Sequence, residues 1–499
     1  MKQSIQHIFY ALAGIALLAG CEAEFDNPVG DTSSYSSGTA DFSTFVAVGD
    51  SLTAGYADNA LYRDGQLNSY PAILAQQFAL VGGGVFSQPL MPVGATGPLS
   101  FTLLGGALPG ISDRLVLGPS GSPPPASPAA PEGILPSQVT SIDTRVGNGG
   151  FNNMGVPGAK SFHLGSPGYG ALTAAAIGGG TANPFFSRFS SSDATTMITD
   201  AGLQAPSFFV FWIGNNDILS YATGGGTGVD QNAANNTDPT TYGSEDITDD
   251  VFFDTTYNGL LAALTAGTAK GVLVNIPDIS TIPYFTTVPF NAIPLDAANA
   301  TGLNAFHNAY NVAIAASGIP AAEITQRTIN WVAGQNPVLI LDDSLTTVAG
   351  QPNQRQATAN DFIVLKASSK IGVDSAGQYG ITVPLADLDV LTETEAGFVE
   401  IARTAYNATI LTAANFDLDL LHFDASAMLT ELDTSGIFYG TGGITSTFAT
   451  GGGFSLDGVH PTARGYAVVA NAIIDVINTG FAANVPHNDP GSFTTVFYQ

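Results

Sequence analysis

The chain has 499 residues, 45% of them hydrophobic and 10% aromatic, which excludes disorder along its whole length and leaves room for a large core. Its 13 Lys and Arg against 41 Asp and Glu give a net charge of −28, and charged residues make up only 11%, so the acidity comes from missing cations. A nucleic-acid partner is excluded because the basic footprint for phosphates is absent, and an acidic surface is repelled by anionic lipid headgroups, so charge cannot hold the chain at a membrane.

At the N-terminus, Lys2 stands ahead of an apolar run from Ile8 to Ala19, too short to cross a bilayer as a helix. A basic start, a short apolar stretch and small residues at the end describe a secretory signal. With Leu18-Ala19-Gly20-Cys21 at its close, residues 1–20 resemble a bacterial lipoprotein signal. The resemblance implies a lipid on Cys21 and a cell-envelope, outer-membrane location facing the periplasm or the surface. Cys21 is the single cysteine of the chain, so no disulfide is available. Residues 21–40 begin with Glu22, Glu24 and Asp26, turn Gly/Ser/Thr-rich, and read as a flexible tether. The early acids also resemble the surface-export signals of some Gram-negative lipoproteins.

Thr44-Phe45-Val46-Ala47-Val48 reads as a buried strand leading into Gly49-Asp50-Ser51-Leu52. Tyr70, Ile73, Leu74 and Phe78 share a helical face, with Ser69 and Pro71 near its start. Residues 81–150 are rich in Gly, Pro and Ser and read as an insertion with short structure of its own, near the rim of a site. Order resumes at Phe151 to Ala159. Ser207 to Ile213 is nearly all apolar and reads as a central parallel strand ending in Gly214-Asn215-Asn216-Asp217. The acidic stretch from Gly224 to about Asp250 lacks the spacing of a calcium loop and reads as solvated.

Phe253, Tyr257, Leu260, Leu261 and Leu264 predict another helix, and Val272 to Ile276 another strand. Residues 277–391 form a second insertion, with a helix expected around Asn304 to Ala316. A helix from Glu393 to about Ala413 and a strand near Leu418 to Phe423 follow. The last helix is expected to have Pro461 in its first turn, Tyr466, Ala470, Ile473 and Ile477 on its buried face, and Gly480 just past its end. Residues 481–499 read as a tail, an edge strand or loose end. Apolar strands alternating with amphipathic helices predict an α/β fold with a parallel sheet covered on both faces.

Acyl transfer needs a hydroxyl nucleophile, a base, a group that orients the base, and donors for an oxyanion. Ser51 follows a strand and opens a helix, where a serine serves either as nucleophile or as N-cap. His460 has an aspartate three residues before it, in Asp457-Gly458-Val459-His460-Pro461, close enough to share a turn. His163 has no acidic neighbour in sequence, and His422, in an apolar strand, reads as a satisfied core histidine. Gly158 and Asn216 sit after ordered segments, either as oxyanion donors or as ordinary turn residues. No metal-ligand cluster and no phosphate-binding glycine loop is present in the sequence, so neither metal nor cofactor is expected.

Four blocks in order, Gly49-Asp50-Ser51-Leu52, Asn153-Met154-Gly155-Val156-Pro157-Gly158, Gly214-Asn215-Asn216-Asp217 and Asp457-Gly458-Val459-His460-Pro461, make the chain resemble the SGNH (GDSL) hydrolase superfamily. The resemblance implies a three-layer, flavodoxin-like α/β/α sandwich of about five parallel strands over residues 41–480. It implies Ser51 as nucleophile, His460 as base and Asp457 as its orienting acid, with the oxyanion held by Ser51, Gly158 and Asn216. The gaps between blocks are much longer than in compact members, which puts the substrate class outside what the resemblance carries. The expected activity is a serine lipase or esterase on a small-molecule or lipid ester. Apolar insertions containing Phe285 and Phe290 lean the expectation toward an apolar acyl chain. A carbohydrate acetyl esterase and a non-catalytic surface binding lipoprotein are the competing readings, and no protein partner is inferable.

Overall fold

The computed structural model describes residues 34–111, 113–117, 138–373, 377–440 and 442–496. The expected signal at 1–20, Cys21, the first part of the tether and the proline run at 123–125 lie outside the described residues. Five strands form the central sheet: β1 (Phe45–Gly49), β2 (Asn153–Gly155), β3 (Phe208–Trp212), β4 (Lys270–Val274) and β5 (Leu420–Phe423). All neighbours pair in parallel, in the order β2-β1-β3-β4-β5. This is the doubly wound order in which ligands bind at the crevice between β1 and β3, where the winding reverses.

The main helices are α1 (Ser51–Ala54), α2 (Tyr70–Ala79), α3 (Asn216–Thr223), α4 (Asp250–Leu264), α5 (Ala297–Ala315), α6 (Glu393–Phe416), α7 (Ala425–Thr434) and α8 (Ala463–Gly480). Strand side chains alternate between two cores, as period-two geometry requires. Phe45, Ala47, Phe208 and Val210 pack with Ile73 and Phe78 of α2 and with Tyr466, Ile473 and Ile477 of α8. Val46, Val48, Phe209 and Phe211 pack on the opposite face with Tyr257 and Leu261 of α4 and with Tyr406 and Ile410 of α6. Three layers result, as expected from the apolar strands.

Local chemistry sets the ends of these helices. Ser69 caps α2 by accepting from the Ala72 N–H, with Pro71 in the first turn. A capping box of Thr392 and Glu395 starts α6. Two expectations for α8 are corrected. Thr462 is its cap, accepting from the Gly465 N–H at 3.0 Å, so Pro461 lies one residue outside the helix, and Gly480 is its last residue.

The tether and tail also differ from expectation. The Thr39 N–H donates to Phe481 O at 2.8 Å and the Asn484 N–H to Ser36 O at 2.8 Å, so residues 34–40 are fastened to the chain beyond α8. The described part of the tail, 481–496, is anchored and holds no strand: the Arg464 N–H donates to Thr494 O at 3.0 Å, and Phe493 packs on the α2–α8 core.

Both insertions carry structure. The first holds a three-stranded sheet of Ala95–Phe101, Gly106–Ala107 and Gln138–Ser141. The second holds α5 and three two-stranded pairings, braced by buried Arg355 between Asp342 and Asp361. The stretch at 224–250 is not simply solvated. Asp246 is buried and accepts from Val229 N–H, Gln231 Nε2 and Gly243 N–H, bracing its own loop. Among the described residues no group of three or more His, Cys, Asp or Glu could hold a metal ion. His422 departs from the satisfied core histidine expected of it: it is half-buried on edge strand β5, and its Nε2 is buried with no hydrogen-bond partner.

Candidate active site

β1 ends at Gly49, where any side chain would collide with Trp212 O at 2.2 Å and Thr53 Oγ1 at 2.3 Å. Asp50 takes the capping role of the next turn: its Oδ1 accepts from the Leu52 N–H at 3.0 Å and its Oδ2 from Asn215 Nδ2 at 2.9 Å. Asp50, not Ser51, is therefore the cap, which leaves the Ser51 hydroxyl free to face another partner. Burial pushes the Asp50 carboxyl up to about 6, against the lowering effect of Asn215, the Leu52 N–H and His460.

That partner is His460, whose Nε2 lies 2.8 Å from Ser51 Oγ. On the other side of the ring, His460 Nδ1 lies 3.0 Å from Asp457 Oδ2. A carboxylate at Nδ1 favours the tautomer with its hydrogen toward Asp457, which leaves the Nε2 lone pair facing the Ser51 hydroxyl. Asp457 Oδ1 accepts from the N–H groups of Val459 (2.9 Å) and His460 (2.8 Å). Its Oδ2 also accepts from the Asn59 N–H at 2.9 Å. Burial alone would raise the Asp457 carboxyl, but the His460 charge and these bonds outweigh it and hold the group at about 2. Tyr56 packs beside the imidazole with ring centroids 4.8 Å apart.

Gly158 has φ +79°, a left-handed conformation that favours glycine, while a Cβ there would meet nothing nearer than 4.0 Å. Glycine is therefore needed for the turn, which aims the backbone, rather than for space. Asn216 opens α3 and donates from Nδ2 to Ala159 O at 3.0 Å, which fixes its amide plane and leaves the second amide hydrogen for an acceptor. The Ser51 N–H stands in the first turn of α1, where helices have no internal acceptors. Ser51, Gly158, Asn216, Asp457 and His460 all line one open cleft of about 410 Å³, between β1 and β3 at the point where the winding reverses. Gly110 and Ile111 of the first insertion and Tyr284 of the second complete its rim.

Several positioning residues had no legible role in the sequence. Asp58 and Asn59 form a tight turn, closed by Ala57–Ala60 backbone bonds, with φ of +52° and +61°. Besides the Asn59 bond to Asp457, Asp58 Oδ1 accepts from the Leu456 N–H at 3.0 Å, and the Asp58 N–H donates to Ser455 Oγ at 2.9 Å. The turn thus grips the loop that carries Asp457 and His460. Asp58 Oδ2 accepts from Tyr62 OH at 3.0 Å and from Arg114 Nε of the first insertion at 3.2 Å. Asp217, fully buried, accepts from Ser161 N–H and Oγ at 2.8 and 2.7 Å, tying the Gly158 loop to α3. An Asp-Asn pair between alanines was a faint signal for a left-handed turn.

Phe285 and Phe290, the basis for an apolar-chain expectation, do not face the cleft. Phe285 is 2% exposed and packs on Phe362, and Phe290 packs against the core. His163 accepts from the Lys160 N–H at 3.0 Å and stacks on Tyr169, and burial with nearby Lys160 pushes it down to about 4.

A comparison with family models finds a match over residues 141–473 to the family described as GDSL-like Lipase/Acylhydrolase. The match takes in Gly158, Asn216, Asp457 and His460 and begins after β1 and Ser51, which the sheet brings back beside them. No curated protein and no solved structure matches the chain. With two thirds of its length matched and the parallel sheet of the fold in place, the chain belongs to the GDSL-like lipase/acylhydrolase family of SGNH hydrolases.

Proposed function

We propose that the protein is a carboxylic ester hydrolase that works through an acyl-enzyme on Ser51. The observation that carries this is the 2.8 Å approach of His460 Nε2 to Ser51 Oγ, with Asp457 behind the ring and Gly158 and Asn216 in the same cleft. Ser51 Oγ attacks the ester carbonyl as its proton passes to His460 Nε2. The oxyanion is met by the N–H groups of Ser51 and Gly158 and by the Asn216 amide. The C–O bond then breaks, and His460 gives the proton to the departing alkoxide. A water that loses its proton to His460 attacks the acyl-enzyme, the acid leaves, and the proton returns to Ser51. Asp457, held at about 2, stays ionised throughout and stabilises the imidazolium.

The test is hydrolysis of p-nitrophenyl esters from acetate to palmitate by the protein and by Ser51→Ala. Turnover that vanishes in the variant supports the reading. Turnover on acetate alone would favour acetylated polysaccharide as substrate, and no Ser51-dependent turnover on any ester would favour a binding lipoprotein. The same reading puts the domain on the cell envelope through a lipid on Cys21, supported by Leu18-Ala19-Gly20-Cys21. Fatty-acid labelling in cells that persists in Cys21→Ala would refute that anchor.

A further inference from the structure

Beside the catalytic cleft lies a second cavity of about 90 Å³ whose walls include Leu52, Trp212, Met428, Leu432 and Val459. It abuts the reacting groups on two sides. Leu52 follows Ser51 directly, and Val459 precedes His460 and lines both this cavity and the catalytic cleft. No charged or hydroxyl-bearing side chain lines the cavity. We propose that this pocket behind the His460 loop holds a short aliphatic chain of the ester bound in the cleft. The proposal rests on the ester-hydrolase reading and adds the substrate class to it.

Chemistry and size both select the occupant. A carboxylate or a sugar with its several hydroxyls placed there would give up its water bonds against at most one side-chain donor, Trp212 Nε1, which is buried with no hydrogen-bond partner. An aliphatic chain gains by leaving water, and Met428 supplies an adaptable wall. At about 90 Å³ the cavity is smaller than the roughly 150 Å³ engineered cavity that accepts benzene, which limits its occupant to a short chain. The chain belongs either to the acyl half or to the alcohol half of the ester. His460 Nε2 delivers its proton to the leaving oxygen, so both halves pass near Val459, and separate substrate series tell them apart.

The test compares p-nitrophenyl acyl esters and alkyl acetates of increasing length, with each protein's own acetate ester or methyl acetate as reference. In the natural protein one series gains about fourfold in kcat/KM per added methylene and then levels off. Met428→Phe, which fills the pocket, brings the levelling to shorter chains, and Leu432→Ala, which enlarges it, moves it to longer ones. A readout independent of turnover uses hexanol and Ser51→Ala. Of the two tryptophans, Trp212 borders the pocket, while Trp331 is buried in the second insertion against His307. Hexanol shifts tryptophan emission in Ser51→Ala, and the shift is lost when Met428→Phe is added. Identical chain-length profiles in all three proteins, or emission untouched by hexanol, would overturn the proposal. If no ester shows Ser51-dependent turnover, the hydrolase reading fails and the hexanol titration alone decides the pocket.

Discussion

Asp58→Asn separates the support of the catalytic loop from the catalytic groups themselves. Asparagine tolerates the left-handed φ of +52°, so the backbone is not newly strained. Its carbonyl oxygen can still accept from the Leu456 N–H, now at 3.0 Å from Oδ1. The amide that replaces Oδ2 faces two donors, Tyr62 OH and Arg114 Nε, and can accept from neither. The Arg114–Asp58 pair is only 12% and 4% exposed, and breaking a buried pair from one side costs about 3–5 kcal/mol. Arg114 keeps its place over the Tyr62 ring at 4.0 Å, which puts the net loss near the lower figure, about 3 kcal/mol. In catalysis, a loop loosened by about 1 Å costs on the order of 10² in kcat with little change in KM. Urea unfolding at neutral pH gives the stability, and p-nitrophenyl acetate kinetics give the kcat and KM split. Tyr62→Phe is the control: it removes one hydrogen bond and leaves the ion pair, for about 1 kcal/mol. A folded Asp58→Asn protein with the kcat of the natural one would show that the turn does not position Asp457 and His460.

Three further outcomes follow from the same geometry. Asn216→Ala removes one oxyanion donor and is expected to cost about 10²–10³ in kcat, so a near-normal rate would take Asn216 out of the mechanism. Gly158→Ala meets no clash but forces a side chain into φ +79°, so thermal unfolding should register about 1–2 kcal/mol while kcat falls further as the amide turns away; intact kcat would remove the Gly158 N–H from the oxyanion site. Glu395 is pushed up to about 7, chiefly by burial, against the Thr392 N–H and with Asp387 and Asp342 adding to the rise. A raised folded pKa means its share of stability is whole below the ordinary carboxyl value and is lost as pH rises to about 7. Glu395→Gln should therefore raise the melting temperature above neutrality and not in acid, and an equal gain at both ends would contradict the assignment.

The strands and helices of the sandwich were legible because each states its environment locally. Phe208–Trp212 is apolar on both faces because helices cover both, and the α2 and α8 faces repeat at helical spacing. Ser51, Gly158, Asn216, Asp457 and His460 were legible as members of ordered blocks, and one cleft brings all five together. What stayed hidden involves pairings across the chain. The Asn59 N–H reaches Asp457 from a turn that reads as any Asp-Asn turn, and Arg114 reaches Asp58 out of a Gly/Pro/Ser-rich segment with no helical or strand period. Phe285 misled for a related reason. An aromatic in an insertion gives no sign of which way it points, and here Phe285 is drawn into the core that runs on from the sheet, while Tyr284 faces the cleft instead.

The long gaps between the blocks leave the site geometry intact, and physics explains why. Closing a loop twice as long costs only about 0.6 kcal/mol more, so a sheet tolerates large insertions at the ends of its strands with little loss. Each residue of the proposed mechanism is delivered by the end of a strand or the start of a helix packed on the sheet: Ser51 after β1, Gly158 after β2, Asn216 after β3, His460 before α8. The walls around them come from elsewhere. Ile111 and Tyr284 belong to the two insertions, and Met428 and Leu432 belong to α7, which follows β5. Changes in those walls leave the Ser51–His460 distance under the control of the sheet. On the proposed reading, selectivity for chain length shifts through Met428 and Leu432 while the acyl-transfer chemistry stays fixed, and substitutions there should alter which ester is preferred before they alter whether an ester is cleaved.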